Sequence, residues 1–352
     1  MPAKGCFLAS LIFAIVVSAL PAAAADNCDV LSGDMAIAAC TRSIQSGKFK
    51  GHDQAINYYN RGLKYYANKD DLDRAIADYS AAIQLDSKYA KAYNYRAIAY
   101  RDKGDFNRSI ADFDEAIRLD PKYTAAYIGR GYNYEEKGEP ERAIADYNEA
   151  ILLDPQNPLA YMDLGSAHES KGELDLAIAN YNEAIRLMPR FTMAYRNRGR
   201  ARLYGGNPAR AFTDLSQATE LNPKDAYSQL WLDIVGQRNG APSRLAQSIS
   251  AVDMTRWPAP VIRLFLGQLT PAAVLAAADD PNAKRKAEQT CDANLYAGEF
   301  FLRQDKSEAA RLFRLAVSDC PVQSFKERSA AKTELKLLGD TNETVDPKAA
   351  RN

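Results

Sequence analysis

Between Ala55 and Asp225, small and apolar residues recur at three- and four-residue steps in paired blocks, and the whole pattern repeats every 34 residues. Segments starting at Ala90, Thr124, Pro158 and Thr192 superpose Tyr93, Tyr127, Tyr161 and Tyr195, with small residues further on and Pro121, Pro155, Pro189 and Pro223 near the end. Residues 55–89 form one more copy, with one extra residue in the turn and Ser87 in place of the proline. The copies are therefore 55–89, 90–123, 124–157, 158–191 and 192–225. Within the third copy, Tyr127, Gly131 and Tyr134 share one helical face, and Ala143, Tyr147 and Ala150 share a face of a second helix. The pattern predicts two amphipathic helices joined by a turn at Lys137 to Pro140. Gly138, like Gly104, Gly172 and Gly206, suits a helix end that needs positive φ. Proline after Asp120 and Asp154 stops the second helix, because the residue before proline avoids helical geometry. One such hairpin cannot bury its apolar face alone, so consecutive hairpins must stack.

The flanks extend this scheme. Ala36 to Cys40 aligns with Ala75 to Tyr79, which makes residues 34–46 a lone second helix within an N-terminal capping region, 26–52. Beyond Asp225 the period fades but helical character persists: 226–290 reads as a degenerate helical region, in which Trp257-Pro258-Ala259-Pro260 breaks a helix and Thr270-Pro271 caps and starts another. Residues 291–338 read as a terminal hairpin in repeat-like register, through Gly298, Phe301, Ala309, Phe313 and Ala316, and 339–352 is a polar tail.

With Ala97, Gly104, Ser109 and Ala116 in the second copy and Gly131, Gly138, Ala143 and Ala150 in the third, the chain resembles tetratricopeptide repeat (TPR) proteins. The resemblance implies an all-α solenoid, a right-handed superhelix of antiparallel helix pairs, here with a C-terminal helical extension. It also implies that first helices line a concave face that binds proteins or peptides. The matching places are Tyr59, Asn60 and Tyr66; Lys91, Asn94, Tyr95 and Arg101; Tyr132 and Glu135; Asp163 and Glu169; and Arg196, Asn197 and Arg200. Tyrosines, amides and arginines suit such a surface. A carboxylate clamp is disfavoured at Asn94, which is followed four places on by Ile98 rather than a lysine. The C-terminal segments Leu264 to Gly267, Asn294 to Phe301 and Ala309 to Val317 resemble NlpI-type envelope lipoproteins. That family implies an adaptor for peptidoglycan hydrolases and a tail-specific protease, able to homodimerise.

Charge adds a second regularity. Arg61, Arg96, Arg130 and Arg198 stand at the seventh place of four copies, where the family is normally apolar, and Asp78, Asp112, Asp146 and Asp214 follow on the partner helix. The fourth copy loses both, with Leu164 and Asn180. Joint loss is what pairing predicts, since a buried arginine without its carboxylate is strongly penalised. Ion pairs Arg61–Asp78, Arg96–Asp112, Arg130–Asp146 and Arg198–Asp214 are expected, against the alternative of two independently solvated faces.

Lys4, an apolar run from Cys6 to Leu20 and then Pro21 and Ala22 to Ala25 read as a cleavable signal peptide, 1–25, which places the protein in the periplasm. Ala25-Asp26-Asn27 before Cys28 is not a lipid-attachment box, so anchoring by lipid is not expected. Losing Lys4 moves the formal charge from zero to about −1, which gives no electrostatic reason to expect nucleic acid. Four cysteines of an exported chain allow three connectivities in two disulfides. Helix geometry favours Cys28–Cys40 and Cys291–Cys320, each worth roughly 3 kcal/mol. No metal site or cofactor is expected from them, for they lie at opposite ends of the chain without CxxC spacing.

Catalytic signatures are missing from the sequence. It has two histidines, His52 and His168, no serine-centred elbow and no phosphate loop. The expected function is a non-enzymatic scaffold or adaptor of the bacterial cell envelope. The alternatives are a chaperone-like receptor for extended peptides and, more remotely, a hydrolase of unfamiliar type.

Overall fold

A computed structural model describes residues 33–67, 71–321 and 325–340. The expected signal peptide, Cys28 and most of the polar tail fall outside these residues. Eighteen α-helices and no strand occur among the described residues. In chain order they are α1 (Gly33–Gln45), α2 (Gly51–Ala67), α3 (Leu72–Leu85), α4 (Ala90–Asp102), α5 (Phe106–Leu119), α6 (Thr124–Lys137), α7 (Pro140–Leu153), α8 (Pro158–Ser170), α9 (Leu174–Leu187), α10 (Thr192–Tyr204), α11 (Pro208–Leu221) and α12 (Ala226–Arg238). After these come α13 (Leu245–Ser248), α14 (Ala259–Phe265), α15 (Pro271–Ala277), α16 (Ala283–Phe301), α17 (Lys306–Asp319) and α18 (Phe325–Leu337). The chain falls into two compact units, Met1–Ala99 and Tyr100–Asn352.

In the first unit, α1 packs on α2 and α2 on α3. The core is built of alanines, with Tyr59 and Tyr79 among them and Tyr89 and Tyr95 packed alongside. Tyr59 meets Tyr89 at 5.1 Å and Tyr95 at 5.5 Å between ring centroids, within the range of favourable aromatic pairs.

The second unit shows how the repeat stacks. α6 pairs with α7, α8 with α9 and α10 with α11; each second helix then packs on the next first helix, and first helices α6, α8, α10 and α12 touch in succession. The close approach comes from glycine. A Cβ at Gly131 would sit 2.7 Å from the Tyr147 ring, one at Gly165 2.7 Å from Tyr181, and one at Gly199 2.8 Å from Leu215. Gly298 stands in the same relation to Phe313 at 2.5 Å, so the C-terminal hairpin α16–α17 packs as the repeats do.

The first helices of the second to fifth copies end in the same way. Gly104, Gly138, Gly172 and Gly206 have φ between 76° and 80°. The amides that follow, from Asp105, Glu139, Glu173 and Asn207, donate to carbonyls of Tyr100, Tyr134, His168 and Arg202. This is the 6→1 closure that satisfies otherwise orphaned helix carbonyls. Gly240 continues the series, with φ 79° and Ala241 N donating to Gly236 O. α12 is thus a regular first helix of a sixth unit. The period fades in the sequence because the second helix is missing: α13 is only four residues long.

C-terminal of α12 the chain builds one large apolar cluster containing Leu230, Trp231, Val261, Leu264, Leu295, Tyr296, Phe313 and Leu335. Thr270 caps α15 by accepting from Ala273 N at 3.2 Å. One boundary differs from expectation. α16 starts at Ala283 rather than Cys291, because Asn282 caps Arg285 N at 3.0 Å and nothing between them and Cys291 breaks a helix. Cys291 therefore lies inside α16, and the division between 226–290 and 291–338 falls within a single helix. Cys291 and Cys320 are joined, with Cα atoms 4.7 Å apart.

Candidate functional site

The seventh-place arginines do more than the sequence indicates. Arg61 donates through Nε and Nη2 to both oxygens of Asp78, at 2.7 and 2.8 Å. Arg130 grips Asp146 at 2.9 and 2.7 Å, and Arg198 grips Asp214 at 2.9 and 2.6 Å. The remaining Nη1 reaches backwards to the preceding second helix. Arg61 finds Thr41, Arg96 finds Ser80, Arg130 finds Asp114 and Arg198 finds Asn182, at 2.6 to 3.1 Å. Arg61, Arg130 and Arg198 therefore each fix their own hairpin and staple it to its predecessor, and Arg96 is tied to the helix before it. The signal was available, since Thr41, Ser80, Asp114 and Asn182 occupy equivalent places in the aligned copies. In the fourth copy Leu164 is buried and Asn180 donates to its own helix, at Leu176 O, 2.9 Å away.

Twelfth-place residues hold a second internal pattern. Glu135 accepts from Tyr147 OH at 2.7 Å, and Glu169 accepts from Tyr181 OH at 2.7 Å. Burial, and then the Glu169 charge, push the Tyr181 phenol well above its usual range, so it remains a donor. Where the acceptor is absent the hydroxyl is absent too: Arg101 faces a copy with Phe113, and Leu203 one with Leu215. The first copy breaks the rule, with Tyr66 and Tyr79, and the buried Tyr79 OH has no hydrogen-bond partner.

These contacts decide which expected binding residues are available. In the first unit Lys91 is exposed, Asn60, Tyr66 and Tyr95 are half-buried, and Tyr59 and Asn94 are buried. In the second, Tyr132 is 40 % exposed and the Arg101 guanidinium lies 5.2 Å from its ring centroid, a cation–π geometry. Glu135 and Asp163 are half-buried. The other expected residues of the fourth and fifth copies are turned to internal use. Glu169, Asn197 and Arg200 are 2 %, 1 % and 6 % exposed. Arg200 Nε donates to Glu169 at 2.8 Å, tying α10 to α8, and Arg196 is engaged with Asp225 at 2.7 Å.

The C-terminal helices cover this stretch. α18 packs against α8, with Ser329 Oγ donating to Glu169 O at 3.2 Å. Lys284, near the start of α16, meets Glu136 at 3.2 Å and lies 5.6 Å from the Phe106 ring centroid. Further along the same helix, Asp292 accepts from Tyr227 OH at 2.8 Å and from Trp257 Nε1 at 2.9 Å. Glu299 and Glu334 both meet Arg238. Sequence reasoning missed this group because its members lie outside the repeat register. The accessible part of the expected face in this unit is the strip Arg101, Tyr132, Glu135 and Asp163.

The histidines have structural partners: His52 Nδ1 lies 2.5 Å from Asp86 and His168 Nδ1 2.6 Å from Glu173. Among the described residues no cluster of three or more His, Cys, Asp or Glu side chains could hold a metal ion. No described helix is long and apolar enough to cross a membrane.

Comparison with known proteins agrees with this geometry. The tetratricopeptide repeat family matches at residues 55–89, 90–123 and 128–190. Among solved structures, a tetratricopeptide repeat protein from Parabacteroides merdae aligns over 66 % of this chain and 91 % of its own, at 18 % identity and TM-score 0.54. PilW, a widely conserved type IV pilus biogenesis factor, aligns over 55 % and 88 %, at 19 % identity and TM-score 0.50. MamA aligns over 46 % and 95 %, at 29 % identity and TM-score 0.42. The chain is a tetratricopeptide repeat protein, a helical scaffold of the kind that binds proteins or peptides.

Proposed function

We propose that the protein is a non-enzymatic adaptor of the bacterial cell envelope, exported through residues 1–25 and holding envelope proteins, such as peptidoglycan hydrolases and a protease, on its first helices. The observation that carries the reading is the accessible strip of Arg101, Tyr132, Glu135 and Asp163, which offers aromatic area and charge of both signs on regular helices. The envelope assignment draws support from the sequence of the N-terminal segment and from the resemblance of the C-terminal block to NlpI-type proteins.

Affinity capture from periplasmic extract tests it. Retention of a small set of folded hydrolases or proteases, lost on Tyr132→Ala with Arg101→Ala, is the expected result. A broad spread of unfolded chains would replace the adaptor with a chaperone-like receptor. Turnover of cell-wall material by stringently purified protein would replace both with a hydrolase. N-terminal sequencing of the periplasmic protein should begin at Asp26.

A further inference from the structure

α18 carries two carboxylates two turns apart, Glu327 and Glu334, and α16 carries two at the same spacing, Asp292 and Glu299. The two helices pack against one another. At one end, Glu299 and Glu334, with side chains 0 % and 2 % exposed, converge on a single nitrogen, Nη2 of Arg238, which is 2.7 Å from Glu334. Two buried carboxylates against one guanidinium leave a net negative charge without a partner, a costly state in a low-dielectric interior. A proton removes that cost. Burial first, and then the Glu299 charge, raise the Glu334 carboxyl from the ordinary 4.5 to about 7, with Arg238 opposing but not cancelling them. At the other end Asp292 is raised from 3.8 to about 7, by burial first and then by Glu327, in spite of the donors Trp257 and Tyr227.

We propose that α18 is a proton-dependent stopper over the first helices of the fourth and fifth repeats: protons held at the Glu299–Glu334 pair, which converges on Arg238, and at Asp292, which feels the charge of Glu327, lock it in place, and their release uncovers Glu169 and Arg200 for a protein partner. The charged and titratable groups around these contacts come from every neighbouring element. Arg238 belongs to α12, and Tyr204, whose hydroxyl is 3.5 Å from Glu299, to α10. Tyr227 of α12 and Trp257, just before α14, donate to Asp292; Glu288 of α16 adds negative charge there. Arg196 and Arg200 of α10 supply positive charge near the same site, Arg200 being acted on by Glu327. α17 presents Arg314, held by Asp340 at 2.6 Å, and α8 presents Glu169, whose carboxylate is held by Arg200.

The direction follows from the raised carboxyls. Released into water, Glu334 ionises near 4.5, whereas docked it keeps its proton to about 7. Between those values the docked state binds more protons, so docking is fully present in acid and weakens as pH rises through the window. Each contact contributes up to about tenfold per pH unit. The partner's access rests on the adaptor reading; the docking itself does not.

Hydrogen–deuterium exchange on the intact protein, corrected for intrinsic rates, tests the docking without a partner. From about pH 5 to about pH 8, α18 amides should lose protection by about 10- to 100-fold relative to α10. Glu334→Gln, which keeps one site permanently neutral, should at least halve that slope, and Glu299→Gln should do the same from the opposite helix. Protection of wild-type α18 that does not change with pH overturns the proposal, as does an unaltered slope in whichever of the two variants folds. If capture yields a partner, its retention should rise with pH when it engages the uncovered residues. Retention indifferent to pH would place it elsewhere while leaving the exchange result standing.

Discussion

Replacing Arg130 by leucine should destabilise the second unit more than replacing Arg130 and Asp146 together by leucine and asparagine. The single change removes both donors to Asp146, whose side chain is 8 % exposed. Burial, its largest influence, already raises that carboxyl, and Arg130 is what opposes it. Stripping one partner from a buried pair costs roughly 3–5 kcal/mol. Arg130 is itself 19 % exposed, and its third partner Asp114, at 53 %, returns to water on its removal, so a loss of about 3 kcal/mol is expected. The double change imitates the fourth copy, where Leu164 packs and Asn180 donates to the carbonyl one turn back. Its expected cost is about 1 kcal/mol, the usual worth of the lost inter-repeat hydrogen bond to Asp114. Urea denaturation followed by tryptophan fluorescence and helical circular dichroism gives both values, fitted with a nearest-neighbour scheme because a solenoid need not unfold in one step. The single variant should also recover part of its loss in acid, where Asp146 can protonate. Equal losses, or a larger loss in the double variant, would refute the pairing argument.

Tyr181→Phe deprives Glu169 of a donor and should cost about 1.5–3 kcal/mol, whereas Tyr79→Phe removes a hydroxyl with no hydrogen-bond partner and should be neutral or stabilising; paired melts of the two variants compare them directly. Gly165→Ala puts a methyl 2.7 Å from the Tyr181 ring and 3.2 Å from Ala177 O, for an expected loss of about 1–3 kcal/mol, measurable by the same denaturation. Replacing Cys291 and Cys320 together by alanine opens a link across 29 residues and should lower stability by about 3–4 kcal/mol, read from the thermal midpoint before and after reductant, which should no longer matter for that link.

The helical hairpins were readable because one set of constraints is written five times. Repetition turns a weak preference, such as glycine against an aromatic ring, into a pattern that stands out from composition. Copying also exposed the arginine–aspartate pairs, through their joint absence beside Leu164. What repetition does not carry stayed hidden. The covering of Glu169 and Arg200 depends on a helix more than 120 residues downstream. Tertiary placement of that kind leaves no periodic trace. The start of α16 was hidden for a local reason: Cys291 is conspicuous, while the capping residue Asn282 sits in a polar run with no apolar period to mark it.

Gly240, the fifth in the series of glycines that close first helices, has a consequence for how this array evolves. A tandem solenoid lengthens by duplication when the newcomer's exposed side meets another hairpin of the same shape. Here α12 ends as the first helices of the second to fifth copies do, but the space its companion would take is held by α13 and α14. A duplicated unit inserted at that point would find no complementary neighbour on one flank. The number of repeats is therefore set by the tail, and growth of the array is open only at junctions between complete hairpins.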